Sequence, residues 1–219
     1  MPLYHGPDEL ADWCELRHYE IVRLEPGQTH RFAWMGPKEK VIVGSGRCQV
    51  RCGDRVEEAE ERANLDLAGA PGAPGAPERV AHFTIARVDE PTVIVRMCGR
   101  WGEEVGGSGI FAVANITEVA ERGDPAPYEK TTRFDNHWHD CDEYWIAFEG
   151  SAEVMSEGRR YPFGPGDCVA TGTGHHHDVP RVIEPLRAIY FETTMLREKR
   201  RGHLWEHEHG PARPDPAKV

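Results

Sequence analysis

The chain has 219 residues, of which 39% are hydrophobic and 29% are charged, and its formal net charge is -11. This acidic balance, with a pI near 5.5, argues against nucleic acid and anionic membranes as partners, because both attract basic surfaces. No run approaches the roughly 20 apolar residues of a membrane span, and the first residues lack a secretory signal pattern, so we expect a cytoplasmic protein.

Short β-branched runs separated by turn residues recur along the chain. They are KVIVG at 40–44, PTVIVRM at 91–97, EYWIAFEG at 143–150 and RAIYFET at 187–193. Many short strands of this kind predict an all-β sandwich or barrel. Helical periodicity is confined to residues 8–19, to RVEEAEERANL at 55–65 and to the charged C-terminal residues, so we expect few short helices.

A faint internal repeat divides the chain into two halves. Glu39 precedes Gly46 with the same spacing as Glu143 precedes Gly150, and a Glu-Pro dipeptide precedes the last apolar run of each half. We therefore predict two copies of one β-domain. Their predicted extents are 1–120, with a flexible insertion near 55–78 that contains GAPGAPGAP, and 121–196, followed by a charged His-rich tail at 197–219.

Histidines and carboxylates are concentrated in NHWHDCDEYWIAFEG, residues 136–150. His137 and His139 are two residues apart, so in a strand both imidazoles point to the same side. The DCD that follows is typical of a turn, and Glu143 then begins a strand that can face the same interior. A fourth group comes from the triple histidine at 175–177, and at this point any of the three histidines can supply it.

Together these residues form the pattern H-x-H-x3-E-x6-G, followed by P-G-D and a later G-x2-H, which resembles the cupin superfamily. The resemblance implies an all-β fold of tandem double-stranded β-helix barrels, a bicupin, with the full motif in the C-terminal barrel only. It implies as metal ligands His137, His139, Glu143 and His177, with His175 or His176 as the replacement for His177 if the register shifts. Such a set suits one divalent transition metal ion (Fe, Mn, Zn, Ni or Co) and leaves positions open for water or substrate.

The N-terminal half lacks this ligand set. Glu39 has the correct place in the repeat, but Ala33 and Met35 stand where the two histidines would be. We therefore expect a metal-free N-terminal barrel that contributes packing.

A metal centre with open positions predicts an enzyme that acts on a small polar metabolite. The resemblance to compact bicupins with one metal in the C-terminal barrel implies a redox-neutral isomerase, lyase or hydrolase, in which the metal would act as a Lewis acid. An Fe(II)- or Ni(II)-dependent dioxygenase and a non-enzymatic small-ligand-binding cupin are the alternatives. The candidate catalytic residues are Glu143, His176 as a nearby base, and Trp145 on the same strand face as Glu143.

The opposite face of the strand that begins at Glu143 carries Tyr144, Ile146 and Phe148. An apolar face of this size must be covered. We expect either the other half of the chain or a second subunit to cover it, and we predict a homodimer.

Overall fold

The computed structural model describes residues 3–7, 10–67, 82–118 and 122–219, and this part of the chain is almost entirely β-structure. Its strands, numbered in chain order, are β1 Leu3–Tyr4, β2 Leu16–Leu24, β3 His30–Ala33, β4 Lys38–Ser45, β5 Arg47–Cys52, β6 Arg55–Glu60, β7 Asn64–Leu67, β8 His82–Ala86, β9 Thr92–Gly99, β10 Val105–Val113, β11 Glu143–Ser156, β12 Arg159–Phe163, β13 Cys168–Thr171 and β14 His177–Thr194. A short helix, α1, spans Glu206–His209. The predicted all-β class is confirmed. None of the helices within these ranges has the length and apolar composition needed to cross a membrane.

The chain forms two compact units. The first unit is Glu15–Trp101, and the second is Gly102–Val219 together with Met1–Cys14, of which 3–7 and 10–14 are described. This division differs from the predicted boundary at residue 120, because β10 pairs with β14 and β1 pairs with β13 inside the second unit.

The second unit is built on a sheet with the strand order β1-β13-β11-β14-β10, and β12 also pairs with β11. The long strands β11 and β14 are antiparallel, with registered pairs that run from Glu143 and Glu192 to Ser156 and His177. Trp145 and other side chains of its face belong to the core of this unit. The two paired strands, which begin at Glu143 and His177, contribute side chains to the same core.

The outward-facing side chains of β11 are buried as well. Tyr144, Ile146 and Phe148 are at most 1% exposed in the folded chain. The homodimer stays a prediction.

The first unit contains two sheets with the orders β2-β9-β4-β7 and β3-β8-β5-β6. Side chains from both sheets share one core, with Phe32 and Phe83 from one and Val41 and Ile94 from the other. Two sheets that bury their facing sides against each other need no helix to complete the core.

The helix predicted over residues 55–65 is wrong, because this segment forms β6 and β7. Gly53, with φ +59°, occupies a tight turn that folds β6 back on β5, and Ala59 is buried opposite Cys48. Cross-strand pairing therefore overrides the helix propensity of the Glu and Ala residues. The predicted helix over 8–19 is also absent from its described residues, where β2 begins at Leu16. The GAPGAPGAP part of the predicted insertion lies outside the described residues.

The sequence repeat has the same structural basis in both units. Gly46 and Gly150 have φ values of +81° and +72°, a region that favours glycine. A Cβ at Gly46 would collide with the backbone at Pro91, and a Cβ at Gly150 would collide with the backbone at Pro185. Each glycine therefore permits close approach of the Glu-Pro dipeptide of its own unit.

A buried arginine neutralises Glu39, the first unit's counterpart of Glu143 in the repeat. The guanidinium of Arg96, 2% exposed, holds both oxygens of Glu39 at 2.7 and 2.8 Å. It also donates to Glu20 at 2.9 Å and lies 5.2 Å from the ring centroid of Phe32. This charge cluster explains how the first unit accommodates a buried carboxylate without the histidines of the second.

The six cysteines all lie within described residues, and none of them forms a disulfide bond there. Cys141, which stands between His139 and Glu143, is buried, and burial raises the pKa of its thiol. A protonated, buried thiol is a poor nucleophile, so Cys141 has a packing role.

Candidate metal centre

Four side chains predicted from the sequence converge in the second unit. The donor atoms of His137, His139, Glu143 and His177 lie within 4.8 Å of one another, and all four residues are buried. A single antiparallel backbone bridge joins His137 to His177, with N–O distances of 3.2 and 2.9 Å. Glu143 enters from the first position of β11. Local strand geometry and one long-range bridge therefore bring the cluster together.

Backbone carbonyl groups orient the three imidazoles. The Nδ1 atom of His137 donates to the carbonyl of Asp135 at 2.9 Å, and that of His177 donates to the carbonyl of His175 at 3.0 Å. The Nδ1 atom of His139 donates to the carbonyl of Gly202 at 3.1 Å. An imidazole that donates from Nδ1 presents the lone pair of Nε2, which is the usual arrangement of metal-bound histidines.

The polar atoms at the centre of the cluster lack hydrogen bonds. The Nε2 atoms of His139 and His177 lie 3.2 and 2.6 Å from Oε2 of Glu143. None of these three buried atoms forms a hydrogen bond with any residue in the described ranges. Buried polar atoms without partners are costly, and a cation between them removes that cost. The donor set therefore fits a divalent transition metal ion.

The electrostatics of the cluster favour added positive charge. Burial lowers the pKa of His139, but the carboxylates of Glu143 and Glu192 outweigh burial and raise it to about 9. Burial strongly lowers the pKa of His137, and the neighbouring histidines add to this effect. Burial raises the pKa of Glu143, yet His139 and His177 more than compensate and hold it well below its usual range. Because the raised pKa of His139 favours its protonated form, a metal ion that binds here would have to displace that proton.

A cavity of about 360 Å³ opens beside the cluster and is lined by His137 and Glu143. Aromatic side chains form one wall, and Gly106 and Gly107 lie among the other lining residues. Glu192, which sequence reasoning missed, also lines the cavity, with Oε1 3.9 Å from Nε2 of His139. Burial raises the pKa of Glu192, Glu143 adds to the rise, and together they outweigh His139.

The C-terminal tail forms part of this site. His203 lines the cavity and stacks on His137 at a ring-centroid distance of 3.9 Å and an angle of 7°. Asp135 accepts from Nδ1 of His203 at 2.5 Å and from Nε1 of Trp205 at 3.2 Å. The backbone of Leu204 pairs with that of Trp138. The tail predicted as a separate segment therefore packs onto the second unit and supplies the carbonyl of Gly202 that orients His139.

We expect the substitution Asp135→Ala to lower metal affinity roughly 10- to 100-fold, the usual cost of removing a contact that supports a ligand. The physical reason is that the tail loses its anchor at His203 and Trp205 and no longer holds His139 through Gly202. A competition titration with a chromophoric chelator measures the affinity.

The matched control is Glu208→Ala in the same tail, where the Glu208 side chain is 51% exposed and lies 3.7 Å from Nε2 of His207. This variant should bind metal as the unsubstituted protein does. Equal affinities of the Asp135→Ala and Glu208→Ala proteins would show that the tail does not support the site.

No known family profile matches this chain. An uncharacterized protein of Sinorhizobium fredii (strain NBRC 101917 / NGR234), y4oW, is 40% identical over 219 residues, which is 100% of this chain and 97% of y4oW. The chain belongs to the y4oW family.

Solved structures show which fold the y4oW family has. Oxalate decarboxylase from Bacillus subtilis matches with a TM-score of 0.53 at 12% identity, over 81% of this chain and 68% of that one. AerE from Microcystis aeruginosa matches with a TM-score of 0.51 at 10% identity, over 80% of this chain and 86% of that one. At such identities the likeness shows the fold alone: this chain has a fold like that of oxalate decarboxylase and AerE.

Two of the predicted catalytic residues of this y4oW family member lie at the cavity, and one does not. Glu143 and Trp145 both line it, and the ring of Trp145 packs edge-on against His177 at 5.1 Å. The side chain of His176 points elsewhere, where its Nε2 lies 2.7 Å from Oδ2 of Asp124 and the residue lines a different cavity. Adjacent residues of an extended segment face opposite sides, so His176 and His177 cannot share one site.

His175 is likewise outside the cluster, because its Nε2 donates to the carbonyl of Asp215 at 2.9 Å. Of the triple histidine, His177 is therefore the residue that joins the cluster.

Proposed function

We propose that the second unit is a metal-dependent enzyme that binds one divalent transition metal ion through His137, His139, Glu143 and His177. The observation that carries the proposal is the convergence of these four buried donors at the wall of a cavity large enough for a small molecule. A closed structural site would have no such cavity beside it, whereas a reactive site needs one.

A structural relative supports the choice of a divalent ion. The oxalate decarboxylase of Bacillus subtilis contains Mn(II) centres, and its chain matches this one with a TM-score of 0.52 at 11% identity. The likeness concerns the fold, and the donor set of this chain is the independent argument for the ion.

We propose a redox-neutral reaction on a small metabolite. When bound, the ion supplies a Lewis acid that polarises an oxygen of the substrate. The residues of the chain supply the rest: Trp145 and the aromatic wall exclude water, and the carboxyl group of Glu192 accepts or returns a proton in the cavity. Glu192 suits this role because it faces the cavity from β14 without being one of the four clustered donors.

Metal titration tests the first part of the proposal. The protein is stripped with a chelator, dialysed and titrated separately with Mn(II), Fe(II), Co(II), Ni(II) and Zn(II) under nitrogen. We expect saturation at a single ion per chain for at least one of these metals. Failure of all five to bind with defined stoichiometry would refute the metal-dependent function.

Solvent-exchange measurements test the reaction class. Metal-loaded protein is incubated in D2O under nitrogen with a panel of small aliphatic and cyclic carbonyl compounds, and exchange of carbon-bound protons is followed by NMR. We expect exchange with the loaded protein and none with the stripped protein. In a parallel incubation in air, turnover that requires oxygen would instead support the dioxygenase alternative.

The substitution Glu192→Gln should keep the metal ion and abolish the exchange, because the amide cannot carry the proton. The control is Glu149→Gln, since the Glu149 side chain is 59% exposed and pairs with Arg187 at 3.3 Å. We expect Glu149→Gln to exchange protons at the unsubstituted rate. Exchange by the Glu192→Gln protein at that same rate would exclude Glu192 as the proton carrier.

A further inference from the structure

The wall of the metal-centre cavity is aromatic. Phe111, Phe134, Trp145 and Tyr190 all line it. The rings of Phe111 and Phe134 each lie 5.3 Å from that of Trp145, and the Phe134 ring meets Trp145 edge-on at 82°. Rings at these distances and angles form the kind of surface against which another flat ring packs well.

The charged groups at this cavity are acidic or imidazole. Among the described residues that line it are Glu143 and Glu192, and none of them is lysine or arginine. Proteins that bind dicarboxylates or phosphate esters use such cations, arginine above all, because a paired guanidinium offsets the desolvation of the anion. A divalent ion and the single carboxylate of Glu143 together carry one net positive charge, and the carboxyl group of Glu192 at the same cavity disfavours a second anionic group.

The cavity is also small, and glycines form part of its lining. Its size of about 360 Å³ is near the lower limit for ligand pockets, which run from about 300 to 1,000 Å³. A Cβ at Gly106 would collide with the side chain of Glu192, so the glycine keeps that carboxyl group in place at the cavity. Space therefore suffices for one ring with small substituents.

We propose that this cavity binds a small flat ring compound that carries no more than one negative charge and places oxygen donors on the metal ion, and that it rejects dicarboxylates and phosphate esters. The inference rests on the proposed function, because it takes the four-donor cluster as the metal site. It adds the chemical class of the substrate, which follows from the aromatic wall and from the missing cations.

Two hydroxamates provide a matched test. Benzohydroxamate and acetohydroxamate chelate metal through the same group with the same charge and differ in the ring. We expect the Co(II)-loaded protein to bind benzohydroxamate roughly 10- to 100-fold more tightly, the ratio that corresponds to burial of a phenyl-sized group. Changes in the visible absorption of Co(II) report binding, and oxalate serves as the dianionic probe, which we expect to bind more weakly than benzohydroxamate.

Substitutions in the aromatic wall of the cavity test whether these rings cause the preference for benzohydroxamate. Phe134→Ala should bring the two hydroxamate affinities close together, and Phe134→Leu, which preserves more of the packing, should reduce the ratio less. The control is Tyr161→Ala, which removes an aromatic ring that packs against the same core outside the cavity lining and should leave the ratio unchanged. Co(II) content is measured for each variant to confirm an intact centre.

The outcomes separate the two proposals. If Co(II) binds and both hydroxamates bind equally, or oxalate binds best, the ring-compound inference is overturned and the metal function stands. If no metal binds to the second unit under any condition, the proposed function fails and this inference fails with it. A benzohydroxamate preference that Phe134→Ala removes supports the inference.

Discussion

Alanine at His137 is expected to reduce the metal affinity of the protein by more than the roughly 10- to 100-fold that loss of a supporting contact costs. The reason is that His137 supplies a donor atom itself, and its Nδ1 atom is already committed to the carbonyl of Asp135. Glu143→Gln should have a comparable effect, because it removes the one negative charge among the four donors while it preserves the shape of the side chain. Metal content after dialysis and chelator competition measure both effects.

Two histidine variants serve as controls for that experiment. His30 lies on β3 in the first unit, and His176 contacts Asp124 at a different cavity of the second unit. We expect His30→Ala and His176→Ala to retain full metal content. Full occupancy in the His137→Ala protein would remove the ligand assignment, and loss of metal in the His176→Ala protein would favour the alternative register of the triple histidine.

Replacing Arg96 by methionine is expected to destabilise the protein by about 3–5 kcal/mol, the usual cost of removing one partner of a buried ion pair. Arg96 and Glu39 are at most 2% exposed, and the substitution leaves the Glu39 carboxylate buried without its cation. Urea unfolding followed by tryptophan fluorescence and by circular dichroism measures the free energy of unfolding.

The matched control for Arg96 is Arg47→Met, also in the first unit. The Arg47 side chain is 57% exposed and pairs with Glu60 at 3.3 Å, and an exposed pair of this kind contributes about 0–1 kcal/mol. Adding Glu39→Leu to Arg96→Met should recover part of the lost stability, because no buried charge then remains. Equal stability of the Arg96→Met and Arg47→Met proteins would show that the buried pair contributes no more to the free energy of unfolding than the exposed pair does.

Three of the four clustered residues were predictable because their signals are local. Alternation in an extended segment places His137 and His139 on one side, and a turn followed by a strand brings Glu143 to the same place. The choice of His177 within the triple histidine came from a resemblance to a known motif, and the structure brings that histidine to the cluster. The role of the cluster as a metal site remains the proposal that the titrations test.

Other features of the site were not predictable because they depend on contacts between residues far apart in the chain. Glu192 reaches the cavity through the register of β11 and β14, and His203 reaches it through Asp135 and the pairing of Leu204 with Trp138. The failed helix prediction has the same origin, since β6 is a strand because β5 pairs with it. The local composition of the sequence does not identify contact partners that lie far away in the chain.

The amino-acid sequence by itself therefore determined the all-β class, the repeat marked by Gly46 and Gly150, and the grouping of His137, His139 and Glu143, because strand alternation and turn geometry act between near neighbours. Only the tertiary structure decided where the units divide, that Arg96 neutralises Glu39, and which side chains surround the donors. These outcomes depend on strand register and on the docking of the tail, which bring together residues that no local pattern connects.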